Sequence, residues 1–126
     1  MTDPARRIIL ADDNATVRRV LAEMLTLAGH AVMPAADGHE ALRHLGTAGG
    51  ADLLITDLEM PGLDGWQVIR SARTMAPGLR VIVITGTELP PPGARVPIDG
   101  LLRKPFGLRP FEDAVARALG AVAAGR

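Results

Sequence analysis

Three carboxylates, one hydroxyl and one ammonium group stand at the ends of short apolar segments in this 126-residue chain. Asp12 and Asp13 follow the run IILA, and Asp57 follows LLIT. Thr85 closes the run VIVIT, and Lys104 comes shortly after a pair of leucines. If these runs are parallel strands of one doubly wound sheet, their carboxyl ends lie along one edge, where such sheets bind ligands. The sequence therefore predicts that the five side chains converge on one site.

An acidic cluster of this kind is suited to a hard divalent cation. Crowded carboxylates repel one another and raise a pKa unless a cation compensates their charge. Mg²⁺ takes oxygen ligands, keeps several waters and is commonly bound by one or two carboxylates together with phosphate oxygens. A metal, an ammonium and a hydroxyl can together neutralise and orient a phosphoryl group during transfer. The expected chemistry is a magnesium-dependent phosphoryl transfer.

Asp57 is the expected nucleophile, because it stands alone after a central strand, beside the Asp12 and Asp13 pair that would hold the metal. Attack by a carboxylate yields an aspartyl-phosphate. Lys104 would contact a phosphate oxygen. It is the single lysine among 14 basic residues, and a compact ammonium suits this position better than a planar guanidinium.

The elements that must position these residues are strands alternating with helices, the pattern of βα units around a parallel sheet. Strands are predicted at residues 7–11, 31–35, 52–56, 80–84 and 98–102. The first, third and fourth are continuous apolar runs and should be central. Pro34 and Pro97 mark the second and fifth as edges. We predict an α/β fold with one doubly wound five-stranded parallel sheet of order 2-1-3-4-5, similar to flavodoxin.

Four helices are predicted from apolar residues spaced three and four apart. Asn14 is the expected cap of the first, Gly65 lies near the start of the third, and Pro110 lies in the first turn of the last. The expected inward positions are Val17, Val20, Leu21, Met24 and Leu25, then Ala41, Leu42 and Leu45, then Val68, Ile69 and Ala72, and finally Phe111, Val115, Ala118 and Leu119.

The connection between the fourth and fifth strands is unusual, because residues 88–97 read ELPPPGARVP. Each proline lacks a backbone donor and clashes with the preceding helical turn. The helix expected in this connection should therefore be short or missing.

Composition excludes several classes of protein. The 14 basic and 14 acidic residues cancel, so neither direct nucleic-acid binding nor an anionic membrane surface is expected. No cysteine is present, which excludes disulfides and thiolate metal sites. Apolar runs are short and residues 1–7 are polar, so we expect neither a signal peptide nor a membrane span. These features predict one cytoplasmic domain over residues 1–126.

Four motifs in order carry a resemblance to a known family: ADDN at 11–14, TDLEMPGLDG at 56–65, VITGT at 83–87 and LLRKPF at 101–106. The chain resembles the receiver domains of response regulators in two-component systems, including chemotaxis receivers. The resemblance implies a signalling switch, not an enzyme acting on separate substrates. It implies that Asp57 accepts a phosphoryl group from a histidine kinase or histidine phosphotransfer protein, with Mg²⁺ as cofactor.

The resemblance also implies roles for individual residues. Asp13 would ligate the metal directly, Asp12 through water, and the backbone carbonyl of Glu59 would complete the protein ligands together with Asp57. Other implied features concern the switch: Thr85 would swing toward the phosphoryl group, and Lys104 would precede a possibly cis bond to Pro105.

Two departures from the receiver pattern lie on its usual output face. Leu101 stands where receivers usually have an aromatic switch residue, three before the lysine, and the proline-rich segment replaces a regular helix. With no effector domain after it, the chain is expected to signal through a downstream protein partner.

Other interpretations explain fewer of these residues. Alone, Asp12 and Asp13 would equally fit a helix cap. A receiver-like interaction module that is not controlled by phosphorylation would not need this acidic cluster. A phosphatase would need D-x-D after the first strand, and two carboxylates there would repel a flavin phosphate. The sequence leaves open the kinase, the output partner, the signal, the oligomeric state, and whether the chain is a fragment of a hybrid kinase.

Overall fold

A computed structural model describes residues 6–47, 50–86 and 97–120, and these contain a five-stranded parallel sheet. The strand order is β2-β1-β3-β4-β5, and every neighbouring pair is parallel. The predicted order and the two predicted edge strands are therefore confirmed. The strands are β1 (Arg7–Ala11), β2 (Ala31–Ala35), β3 (Leu53–Asp57), β4 (Arg80–Thr85) and β5 (Gly100–Arg103).

Helices cover both faces of the sheet, and the sheet divides the core into two clusters. On β1, Ile8 and Leu10 belong to one buried cluster, whereas Ile9 and Ala11 belong to the other. Successive strand residues point to opposite faces, which is why a strand covered on both sides is apolar throughout. The first cluster packs under α1 and α4, and the second under α2 and α3. The described helices are α1 (Ala15–Leu27), α2 (Gly38–Leu45), α3 (Gly65–Met75) and α4 (Leu108–Leu119).

Two details of the predicted elements are wrong. Val20 is 45% exposed, because the buried face of α1 is centred on Leu21 and Leu25, and one residue along a helix turns the side chain by about 100°. The fifth strand begins at Gly100, not at residue 98. Just before it, the Asp99 carboxylate accepts a hydrogen bond from the β4 backbone at 2.7 Å, replacing a ladder carbonyl.

The third and fourth strands end one residue later than predicted, and the third also begins one residue later, at Leu53. β3 includes Asp57 and β4 includes Thr85, so both candidate residues belong to the regular sheet. The predicted shortening of the helix between β4 and β5 concerns residues 88–97, of which all but Pro97 lie outside the described residues, and it stays a prediction. Within the described ranges, every helix is too short or too polar to cross a membrane.

Side-chain caps fix the helix starts next to the carboxyl ends of the strands. Asn14 accepts a hydrogen bond from the backbone of Val17 at 3.0 Å and so begins α1, as predicted. Asp64 and Gln67 form a reciprocal capping box at the start of α3. Such caps satisfy backbone donors that a helix end leaves unpaired. They set α1 directly after Asp12 and α3 close behind the end of β3.

Gly65 permits the closest approach between a helix and a site strand. A Cβ atom there would lie 2.6 Å from the backbone oxygen of Asp57 and 2.8 Å from the Cα of Leu58. Both are backbone atoms, so neither can rotate away. The first residue of α3 must therefore lack a side chain if the helix is to pack behind Asp57.

We expect Gly65→Ala to lower the free energy of unfolding by about 1 to 3 kcal/mol, because the added methyl forces backbone apart in a packed region. Gly78→Ala is the matched control, since no atom lies within 4 Å of its added Cβ. That control should shift stability by less than about 1 kcal/mol. Urea unfolding of both variants measures the difference, and equal losses would contradict the close approach.

Candidate functional site

The parallel register brings the predicted site residues to one edge of the sheet. Asp57 is paired with Ile84 across β3 and β4, and Thr85 with Arg103 across β4 and β5. Asp12 follows β1, whose last residue pairs within β3. Asp12, Asp57 and Thr85 are each buried, with at most 1% of their surface exposed. All five predicted side chains thus extend from neighbouring strand ends.

Asp57 is held by two donors from different parts of the chain. The Lys104 ammonium donates to Asp57 Oδ2 at 2.6 Å, and the backbone N–H of Glu59 donates to Oδ1 at 3.0 Å. The same ammonium lies 3.9 Å from Asp12 Oδ2. Hydrogen bonds between charged groups are shorter and stronger than neutral ones, so this pair fixes the orientation of the Asp57 carboxylate.

The carboxylates of Asp12, Asp13 and Asp57 form a cluster in which one oxygen of each lies within 4.8 Å of the others. Asp12 Oδ1 accepts a hydrogen bond from the backbone of Asn14 at 2.9 Å. Asp12 Oδ2 is buried and has no hydrogen-bond partner in the described part of the chain. A buried oxygen without a donor, facing two further carboxylates, suits a divalent cation that takes oxygen ligands.

The protonation of Asp12 reflects its burial more than the crowding of the carboxylates. The pKa of Asp12 is raised above its ordinary value, chiefly by burial. The charges of Asp57 and Asp13 add to this rise in pKa, whereas the Asn14 N–H and Lys104 oppose it. A bound cation would favour the ionised form of Asp12, as Lys104 does.

Burial and the neighbouring carboxylates shift the pKa of Lys104 in opposite directions. Burial is the largest single influence and lowers its pKa, but the hydrogen bond to Asp57 and the charges of the neighbouring carboxylates together outweigh burial, so the pKa is raised. The negative charges of Asp12 and Glu59 contribute to this higher pKa. Lys104 is therefore charged at neutral pH and opposes the negative charge of the carboxylates.

Two contacts at the site have no counterpart in the sequence-based predictions. Arg18, one turn into α1, donates to the backbone carbonyl of Asp12 at 2.7 Å. The side chain of Glu59 accepts from the backbone of Gly86 at 3.4 Å. Arginine and glutamate are common on helices and loops, and only a tertiary contact distinguishes these two. No spacing rule would have found them.

The switch candidates lie on the two strands farthest from β1. The backbone N–H of Lys104 donates to the carbonyl of Thr85 at 2.8 Å, joining the ends of β4 and β5. The Lys104–Pro105 bond is cis, as the resemblance implied. Leu101 pairs with Val83 and is 37% exposed, so an apolar side chain is partly in solvent on this edge strand.

Comparison with known proteins decides the family. The model of the response regulator receiver domain family matches residues 8–116. The chain belongs to this family. Receiver domains are the phospho-accepting signalling domains of two-component systems, and they interact with histidine kinases or phosphotransfer proteins. The resemblance stated from the four sequence motifs is confirmed.

Individual relatives agree with this assignment. The chain is 34% identical to the response regulator receiver protein CpdR of Brucella abortus, over 90% of this chain and 97% of that protein. It is 32% identical to the C4-dicarboxylate transport transcriptional regulatory protein DctD of Rhizobium meliloti, of which it spans 25%. The similarity to CpdR thus extends over nearly a whole protein, whereas most of DctD has no counterpart here.

A solved structure extends the comparison to the fold. The response regulator TrrA of Thermotoga maritima, crystallised in complex with Mg²⁺ and BeF, is 28% identical with a TM-score of 0.76. The match covers 90% of this chain and 99% of TrrA. The acidic cluster that fits Mg²⁺ and an aspartyl-phosphate in such domains is present in this chain.

We expect Mg²⁺ to bind weakly at this cluster, because few protein oxygens are available and several waters stay on the ion. Asp13→Asn should weaken Mg²⁺ binding by about tenfold or more. Removal of a residue that only hydrogen-bonds to a metal ligand already costs about tenfold in affinity. Asp113→Asn, on the exposed side of α4, is the control with the same change of charge. Calorimetric titration with MgCl₂ measures both, and unchanged affinity in Asp13→Asn would remove that residue from the site.

Proposed function

We propose that this chain is a phosphorylation-controlled switch in which Asp57 accepts a phosphoryl group from a histidine kinase or histidine phosphotransfer protein. One observation carries the proposal. Asp57 is a buried carboxylate whose two oxygens are oriented by Lys104 and the Glu59 N–H, within a carboxylate cluster of the size a divalent cation needs. A group so positioned needs little further preparation to act as a nucleophile.

The proposed transfer proceeds at one Asp57 carboxylate oxygen. This oxygen attacks the phosphorus of the donor phosphohistidine, and a new P–O bond forms as the P–N bond breaks. The electron pair of the broken bond stays on the donor imidazole nitrogen. Lys104 passes from the carboxylate to an oxygen of the incoming phosphoryl group, where its charge offsets the charge that accumulates there. The Thr85 hydroxyl contacts another oxygen of the same group.

Asp12, Asp13, Asp57 and the backbone carbonyl of Glu59 would hold Mg²⁺, Asp12 through water. The ion supplies charge neutralisation at the phosphoryl oxygens. Arg18, through its hydrogen bond to the Asp12 carbonyl, supports the turn from which two of these ligands extend.

The proposed signal passes from Thr85 to the β4–β5 edge. Movement of Thr85 toward the phosphoryl group opens space that the Leu101 side chain can enter, and because leucine has no hydroxyl to exchange partners, the coupling is steric. Two states with different contacts are what such a switch requires. The proposed output is a downstream protein partner, without direct nucleic-acid or membrane binding, from one cytoplasmic domain over residues 1–126.

We expect a small phosphodonor such as acetyl phosphate, with Mg²⁺, to add one acid-labile phosphoryl group to the parent chain, and Asp57→Asn to abolish the addition. An amide oxygen is a far weaker nucleophile than a carboxylate. Intact-protein mass spectrometry at neutral and acid pH gives the readout, with Asp113→Asn as the control that should label normally. Labelling of Asp57→Asn at the parent rate would show that another residue is the acceptor, and an unlabelled parent would favour the interaction module.

Lys104→Arg should slow phosphorylation by about ten- to hundredfold, although the charge is retained. The planar guanidinium is longer and cannot occupy the position of a compact ammonium 2.6 Å from Asp57 Oδ2. Arg103→Lys, the reverse exchange at the neighbouring exposed position, is the matched control and should leave the rate unchanged. Initial rates under saturating Mg²⁺ compare the variants, and a parental rate in Lys104→Arg would refute the assigned role.

A further inference from the structure

The Glu59 side chain crosses the mouth of the site. Its backbone N–H is bound to Asp57 Oδ1 at 3.0 Å, so the residue is anchored to the acceptor carboxylate itself. The Glu59 carboxylate reaches the end of the neighbouring strand β4. There it accepts a long hydrogen bond of 3.4 Å from the Gly86 N–H. Gly86 directly follows Thr85, where β4 ends. One exposed residue thus joins the end of β3 to the residue after β4.

The ends of β3 and β4 are close here for a separate reason. The backbone N–H of Leu58 donates to the carbonyl of Ile84 at 3.0 Å, which continues the sheet ladder past Asp57. The Gly86 N–H therefore lies beside the position that a phosphoryl group on Asp57 would take. A free backbone N–H at that place is a donor suited to an anionic oxygen. In this structure the Glu59 carboxylate uses that donor.

The same carboxylate is a negative charge near the reacting oxygens. It acts on Lys104 together with Asp12 and Asp57. An incoming phosphoryl group is also an anion, so it competes with Glu59 for the Gly86 N–H and is repelled by the charge of Glu59. Glu59 and a phosphoryl group cannot both accept a favourable hydrogen bond from the Gly86 N–H.

We propose that the Glu59 side chain is an anionic latch that holds Gly86 in the unphosphorylated protein, slows phosphorylation of Asp57, and is displaced when the phosphoryl group arrives. The inference rests on the proposed function of Asp57. It adds a role for the side chain of Glu59, of which only the backbone carbonyl had a role as a metal ligand. Displacement of the latch transfers the Gly86 N–H from Glu59 to a phosphoryl oxygen, so the effect of phosphorylation begins on the residue after Thr85.

Two variants separate the hydrogen bond from the charge. Glu59→Gln keeps an oxygen that can accept from Gly86 but removes the charge, whereas Glu59→Ala removes both and leaves the backbone carbonyl. Glu112→Gln, on the exposed side of α4, is the control for loss of one negative charge elsewhere. Because Glu59 is exposed, both variants should fold.

The first measurement is hydrogen exchange of the Gly86 amide by NMR, without phosphodonor, in all four proteins. The second is the rate of phosphorylation by acetyl phosphate at saturating Mg²⁺. Glu59→Ala should exchange Gly86 faster by about threefold or more. Both Glu59 variants should be phosphorylated faster by about three- to fivefold, the effect of one partly screened charge. Glu112→Gln should match the parent in both measurements.

The latch is overturned if Gly86 exchange in Glu59→Ala equals that of the parent, or if both Glu59 variants are phosphorylated at the parental rate. A parent that takes up no phosphoryl group refutes the proposed function instead. In that case the exchange of Gly86 still decides whether Glu59 holds it.

Discussion

The structure depends on the compensation of one buried negative charge. Asp57 is almost fully removed from solvent at the end of a central strand, and a buried carboxylate without a partner costs several kcal/mol. Lys104, which follows the edge strand β5, provides that partner, with its ammonium 2.6 Å from the Asp57 carboxylate. The ion pair requires β3 and β5 to end at the same edge of the sheet, although β4 lies between them. The parallel register, and the close packing of Gly65 behind Asp57, both serve this arrangement.

Most of the fold could be predicted because its signals are local. Strands covered on both faces are continuously apolar, and prolines distinguish the edge strands from the central ones. The errors arose where tertiary contacts override these signals. Asp99 supplies a side-chain acceptor in place of a strand carbonyl and so delays the start of β5. The exposure of Val20 depends on how α1 is rotated against β1, which periodicity alone defines only approximately.

The residues of the site likewise fall into those that sequence patterns predict and those that depend on tertiary contacts. The site residues at strand ends could be found because the topology of a parallel sheet alone brings strand ends together. These residues are Asp12, Asp13, Asp57, Thr85 and Lys104. The cis bond at Lys104 was implied only by family resemblance. Arg18 and the Glu59 side chain could not be found, because their significance lies in single contacts with backbone atoms of Asp12 and Gly86. Such contacts depend on loop conformation, which no residue pattern specifies.

The site residues extend from strand ends, while the outer faces of the helices contribute almost nothing to the acceptor chemistry. Within residues 6–47, 50–86 and 97–120, and apart from Arg18, the helices support the site only through caps and through buried faces that pack on the sheet. Substitutions on their outer faces therefore leave the geometry around Asp57 intact. Recognition surfaces can drift during evolution while the reaction stays the same. Duplicated copies of such a chain can thus acquire separate partners and avoid crosstalk without reinventing the chemistry.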